Sequence, residues 1–185
     1  MSDNSSINEQ EITALLADKN RREAAFSAII KQYSEPLYWH IRRMVLSHDD
    51  ANDLLQNTFL KAWSNIDKFR GESQISTWLY RIAFNTFMNH TRSAACQTTP
   101  IDDERTAYEI PDESPPPCRQ EEALQNAICL LNEKERHCIT LFYLEEMSIK
   151  EIQKITGYPA GSIKAYLSRG RNNLKKILKS DERER

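Results

Sequence analysis

Residues 148–178 constrain this chain most. They read as a short helix over 148–155, a break at Thr156-Gly157-Tyr158-Pro159, and a longer helix from 160 onward. Ser148 is placed to cap the first helix, and Glu151, three residues on, completes a capping box. Gly157 supplies the backbone freedom a sharp break needs. Pro159 suits the first turn of the next helix, where its missing N–H is not required. Ile163, Leu167, Leu174, Ile177 and Leu178 recur at helical spacing on one face, while Lys164, Arg169, Arg171, Lys175 and Lys176 fall largely elsewhere. A helix with one apolar stripe and one cationic face can dock on a domain and enter a major groove. The segment is therefore expected to be a helix-turn-helix that meets DNA.

The remainder reads as helical too. Four glycines in 185 residues are few for the many turns of a sheet protein, and long segments rich in Leu, Ile, Ala, Glu, Lys and Arg favour helices. The spacing predicts helices over 9–17, with Asn8 as cap and Glu11 in its capping box, and over 22–46. In the latter, Phe26, Ile29, Ile30, Tyr33, Leu37, Ile41, Met44 and Val45 face inward, and Pro36 kinks or breaks the helix near Ser34. After a turn and cap at 47–50, further helices follow at 51–65, with Leu54, Leu55, Phe59 and Ala62 inward, and at 76–92. Beyond these lie 120–131, 133–144 (Asn132 as cap, Glu135 completing its box), 148–155 and 160–179. Between the two groups, residues 93–117 carry Thr98-Thr99-Pro100, Asp102-Asp103-Glu104 and Pro115-Pro116-Pro117 with little periodicity, the mark of an extended linker. The expected fold is all-α: two small helical domains, 1–92 and 119–185, joined by a flexible acidic linker over 93–118.

The net charge of −2 hides a partition. Residues 1–60 carry −3, 61–92 carry +3, 93–148 carry −8 (4 basic, 12 acidic) and 149–185 carry +6. Phosphates respond to local patches, so either basic segment can approach nucleic acid. The acidic middle weakens binding by the isolated chain and points to a partner that helps it hold DNA. The N-terminus lacks a basic-then-apolar signal and the apolar runs are too short to span a bilayer, so a cytoplasmic protein is expected. Cys96, Cys118, Cys129 and Cys138 form no C-x-x-C pair and are expected to be reduced. His137 and Cys138 diverge as neighbours on a helix, so no metal and no cofactor are expected. No Walker loop, nucleophile elbow or H-E-x-x-H motif is present, so the chain is not expected to be an enzyme.

Three stretches resemble a known family. Asp53-Leu54-Leu55-Gln56-Asn57-Thr58-Phe59-Leu60-Lys61-Ala62-Trp63, then Phe69-Arg70-Gly71, then Thr77-Trp78-Leu79-Tyr80-Arg81-Ile82-Ala83-Phe84-Asn85 look like region two of a bacterial sigma factor. Leu131-Asn132-Glu133-Lys134-Glu135-Arg136 with the helix-turn-helix looks like region four. Their order and spacing resemble the extracytoplasmic-function (ECF) group.

The resemblance implies a factor that binds core RNA polymerase, reads minus-ten and minus-thirty-five promoter elements and starts transcription. Asp53, Gln56, Asn57, Leu60 and Lys61 would grip the polymerase. Asn57 stands where the family usually has an acidic residue, so one charge pairing with the polymerase would be lost. The helix over 77–92 and the loop before it would read the minus-ten element. On that helix Trp78, Leu79, Ile82, Ala83 and Phe87 are better assigned to core. Tyr80, Arg81, Asn85, Met88, Asn89 and Arg92 are the expected exposed contacts. Ser162, Lys164, Ala165, Tyr166, Ser168, Arg169 and Arg171 would read the minus-thirty-five duplex, with the Arg169 fork best suited to guanine. The acidic linker would thread the polymerase where RNA later passes. An anti-sigma factor is a further implied partner. The alternative is a stand-alone helix-turn-helix regulator.

Overall fold

The computed structural model describes residues 9–69, 71, 73–96 and 119–183. Among these residues the secondary structure is helical, with no strand. The helices are α1 (Glu9–Ala17), α2 (Arg22–Arg42), α3 (His48–Ser64), α4 (Ile75–Cys96), α5 (Arg119–Cys129), α6 (Glu133–Ile139), α7 (Ile149–Thr156) and α8 (Ala160–Arg183). Asn8 and residues 97–118, most of the expected linker, lie outside the described residues, whereas 93–96 form the last turn of α4.

The N-terminal group forms around α2. Its residues Ala25, Phe26, Ile29, Leu37, Tyr38 and Ile41 are buried against α1, α3 and α4. Pro36 lies inside α2 and does not break it, so of the two outcomes expected, a kink or a break, the break does not occur. Proline removes one backbone hydrogen bond and crowds the preceding turn. Here Ile29 on one side and Leu37 on the other are each at most 1 % exposed. Burying such side chains contributes about 1.5–3 kcal/mol apiece, enough to carry the helix through. The helix then stops at Arg42, short of the expected 46. α3 starts earlier than expected, because the Ser47 hydroxyl accepts from the Asp50 N–H at 3.3 Å and caps it.

α4 is capped from a distance: the Glu9 carboxylate accepts from the Ile75 N–H. This fixes α1 against the loop that precedes α4.

The C-terminal group is assembled on α6 and α8. Gly170 allows their close approach, since a β-carbon there would lie 2.8 Å from Ile139 Cγ1. α6 runs into a π-helical stretch at Thr140–Leu144, closed by Glu146 in the left-handed region at φ 53°. Asn132 caps α6 by accepting from the Lys134 N–H at 3.1 Å. The expected capping box is not completed, because the Glu135 carboxylate instead accepts from Asn173 Nδ2 of α8 at 2.9 Å. Around the turn the local reading holds. Ser148 and Glu151 form the full capping box, and Gly157 ends α7 at φ 73°.

The two groups share one continuous apolar core. α4 packs against α7, and Phe84 and Phe87 of α4 meet His137 of α6 edge-on at 4.7 Å.

Candidate polymerase and nucleic-acid interfaces

Three surfaces hold the residues singled out above. The first is a groove of about 750 Å³ between α2 and α3, walled by Phe26, Ile30, Gln56, Phe59, Leu60 and Trp63 among others. Leu60 is 58 % exposed, Trp63 40 % and Ile30 39 %. Ile30 was expected inside; α2 turns it to the groove instead. Phe26 meets the Trp63 ring at 5.0 Å and Phe59 edge-on at 6.3 Å, which stiffens the floor. Of the five residues expected to grip polymerase, Gln56 and Leu60 line this groove. Lys61 turns toward α4, where its Nζ donates to the Thr86 hydroxyl at 3.3 Å. Asp53 and Asn57 are half-buried on α3. Exposed apolar side chains clustered around an open groove are the pattern of a protein-docking surface.

The second surface is α4 and the loop before it. Arg81, Asn85, Asn89 and Arg92 are exposed, as expected. Tyr80 and Met88 are not: they are 7 % and 8 % exposed. For Tyr80 the cover comes from the C-terminal group and from α2 together. The Tyr80 hydroxyl donates to Glu145 Oε2 at 3.0 Å, and its ring lies 4.7 Å from the His40 ring. Leu79, Ala83 and Phe87 are buried and Trp78 and Ile82 half-buried, so the core assignment stands for those five. Phe84 is also buried, at 5 % exposure. In the loop before α4 and at its first turn, Gly71, Ser73, Gln74 and Thr77 line a polar cleft of about 670 Å³ that Glu151 and Lys154 of α7 also line. Gly71 sits at φ 71°, a conformation that favours glycine.

Sequence reasoning did not find the groups that hold these surfaces together. Glu145 receives Arg43 Nη1 at 2.8 Å as well as Tyr80, and His40 Nδ1 lies 3.4 Å away. Burial alone pushes the Glu145 carboxyl up, but His40, the Tyr80 hydroxyl and Arg43 outweigh it and hold it below its ordinary value. Burial, then Glu145, pushes the Tyr80 hydroxyl well above its ordinary value. Arg136 Nη1 donates to the Met44 carbonyl at 2.6 Å, and Gln125 Nε2 to the Arg42 carbonyl at 2.8 Å. The one signal in the sequence was α4 itself, whose apolar residues cover more than one face.

The third surface is the start of α8. Lys164, Ala165, Ser168, Arg169 and Arg171 are exposed, while Ser162 and Tyr166 are half-buried. Tyr166 packs on Tyr158 at 5.5 Å and carries the Arg169 guanidinium 5.2 Å above its ring. Arg169 Nε also lies 4.0 Å from Glu135 Oε1. Ile163 and Leu167 are buried against α6 and α7, which turns the cationic side outward. Lys175 and Lys176 extend that side.

Cys129 and Cys138 are free thiols, and burial pushes Cys138 up to about 12. Among the described residues no group of three or more His, Cys, Asp or Glu could hold a metal, and no helix is long and apolar enough to cross a membrane.

The Sigma-70 region 2 family matches residues 29–96, and the Sigma-70, region 4 family matches residues 121–174. RNA polymerase sigma factor YlaC of Bacillus subtilis is 32 % identical over 163 residues, spanning 85 % of this chain and 94 % of the relative. ECF RNA polymerase sigma factor SigW of the same organism is 30 % identical over 174 residues, spanning 87 % and 92 %. Among solved structures, the sigma factor RpoE of Bartonella quintana, in complex with the anti-sigma factor NepR, superposes with a TM-score of 0.64 at 26 % identity, covering 84 % of this chain and 98 % of that one. CnrH, in complex with the cytosolic domain of CnrY, shares the fold with a TM-score of 0.68 at 22 % identity, covering 94 % and 98 %. The stand-alone regulator is thereby disfavoured, and the chain belongs to the ECF group of sigma factors, which bind core RNA polymerase and direct it to promoters.

Proposed function

We propose that the three surfaces divide the work of promoter-directed initiation. The groove between α2 and α3 takes a helical element of core polymerase, with Leu60 as the central apolar contact and Gln56 beside it. Asp53, Asn57 and Lys61 flank that contact and set its polar rim. The observation that carries this reading is the groove itself, where Leu60, Trp63 and Ile30 are exposed together.

Arg81, Asn85, Asn89 and Arg92 contact the minus-ten region, the arginines through phosphates and the amides through base edges. Tyr80 and Met88 add stacking and apolar contact with separated bases once they are uncovered. At the start of α8, Ser162, Lys164, Ala165, Tyr166, Ser168, Arg169 and Arg171 form the minus-thirty-five reader. Arg169 offers a two-pronged contact to guanine, and Lys164 and Arg171 hold phosphates. Residues 1–92 and 119–185 act as separate units and 93–118 as their tether.

The chain carries no catalytic step of its own and works in the cytoplasm, where polymerase supplies the chemistry. An anti-sigma factor is a further partner of the chain, a reading supported by the related sigma factor RpoE, which is solved in complex with the anti-sigma factor NepR.

The test is a pull-down of purified core polymerase by the Gln56→Ala/Leu60→Ala chain. Leu60 already stands 58 % exposed, so its loss should leave the fold intact. Burying the exposed part of a leucine contributes about 1–2 kcal/mol, so affinity should fall about tenfold or more. Unchanged affinity would remove the groove from the polymerase interface.

A further inference from the structure

A nearly buried carboxylate stands beneath the cationic face of α8. Glu135 lies on α6, and its side chain is only 10 % exposed. The carboxylate does not close the α6 capping box but faces α8. Oε2 accepts from Asn173 Nδ2 at 2.9 Å, and Arg169 Nε lies 4.0 Å from Oε1. Arg169 and Asn173 are four residues apart, so they share one face of α8. Gly170 follows Arg169, and a β-carbon there would lie 3.5 Å from Glu135 Cβ. The absence of that side chain lets α6 come close enough for the carboxylate to reach both partners. On its other side the guanidinium rests on Tyr166, 5.2 Å from the ring centre, yet the Arg169 side chain stays 61 % exposed.

We propose that Glu135 is a positioning residue for promoter reading: it fixes the Arg169 guanidinium so that its fork meets one guanine of the minus-thirty-five duplex. The proposal rests on the guanine contact given to Arg169 above. A long exposed side chain has many rotamers to lose on binding, and holding it in place beforehand removes that cost. Nε meets the carboxylate, which leaves Nη1 and Nη2 to donate to guanine O6 and N7. Were the guanidinium to swing to a phosphate or to a neighbouring base, the nearly buried carboxylate would keep only Asn173, and that penalty disfavours the wrong contact. The same negative charge repels the DNA backbone whatever the sequence. Glu135 therefore weakens duplex binding in general and sharpens the choice among duplexes.

The test uses the full chain with core polymerase: unmodified, Glu135→Gln, Arg169→Ala and the double variant. Glutamine keeps the size of Glu135 and can still accept from Asn173, so the fold should persist, which thermal unfolding checks. Each holoenzyme selects duplexes from a random pool, and its affinity for one scrambled duplex is read by fluorescence anisotropy. The unmodified chain should favour guanine about tenfold at the base pair where Arg169→Ala removes the preference. Glu135→Gln should lower that preference to about threefold at the same pair alone. It should bind scrambled duplex no more weakly, and it should remove no further preference from Arg169→Ala. A merely structural role would instead lower affinity for every duplex together or weaken the preference at all positions, and either result overturns the proposal. So does a Glu135→Gln profile equal to that of the unmodified chain. If Glu135→Gln does not fold, Asn173→Ala, which frees the carboxylate from its anchor, decides by the same profile. If Arg169→Ala leaves the profile unchanged, the guanine contact and the proposal fall together. Loss of preference in Arg169→Ala beside an unchanged Glu135→Gln profile strikes the positioning role alone.

Discussion

Acidification probes the junction of the two domains through His137. Its side chain is fully buried, ringed by Phe84 and Phe87 of α4 and by His40 of α2. Nδ1 lies 3.2 Å from the Glu133 carbonyl, while Nε2 has no hydrogen-bond partner among the described residues. The charged and titratable groups around it are His40, with Arg43 and Glu145 behind it, and Arg136 on its own helix; α4 faces it with rings only. Burial, then the neighbouring His40, lowers its pKa from 6.5 to about 3, with Arg136 adding to the drop and the Glu133 carbonyl opposing it.

The unfolded chain therefore takes up this proton near the ordinary value while the native chain refuses it. The stability due to neutral burial is complete above pH 6.5 and is lost as pH falls from there toward 3. The rate is about 1.4 kcal/mol per pH unit, or about 2 kcal/mol between pH 7.5 and pH 5.0. Urea unfolding at both pH values, for the unmodified chain and for His137→Leu, isolates it. Leucine matches the volume and leaves no unpaired nitrogen, so the variant should fold. The unmodified chain should lose about 2 kcal/mol more than the variant on acidification. Equal losses would refute neutral burial of His137, and a larger loss in the variant would refute the sign.

Other expectations follow from single residues. Ser148→Ala removes the α7 capping box and should cost about 1 kcal/mol in thermal unfolding. Gly157→Ala forces a side chain into φ 73° and should destabilise by about 1–2 kcal/mol. Gly161→Ala, with nothing within 4 Å, should stabilise by up to about 1 kcal/mol. If Lys164, Arg171, Lys175 and Lys176 hold phosphates, log affinity for duplex DNA should fall with log salt at about −3 to −4. Removing Lys175 and Lys176 should flatten that slope by about 2, and an unchanged slope would place the two lysines off the backbone.

What could be read from the sequence was what is decided locally. The α7–turn–α8 unit depends on Ser148, Glu151 and Gly157, all within ten residues, and it formed as the residues dictate. Pro36 does not break α2, because burial on both sides of it outweighs one lost hydrogen bond. Glu135 misled because Asn173, 38 residues away, takes its carboxylate. Tyr80 was expected outside for the same reason: Glu145 lies 65 residues beyond it, and periodicity carries no record of such a partner. Yet α4 did hold a hint. A helix with Leu79, Ala83 and Phe87 on one side and Tyr80, Phe84 and Met88 beside them is apolar over too wide an arc for a single neighbour.

The central claim is that this chain gives a polymerase its choice of start site. Run-off transcription on genomic fragments, with purified core polymerase and the chain added separately and together, tests it most directly. Discrete transcripts with fixed starts should arise only in the combined reaction. Random starts in that reaction, or selective binding of the lone chain to its target at full strength, would contradict the account.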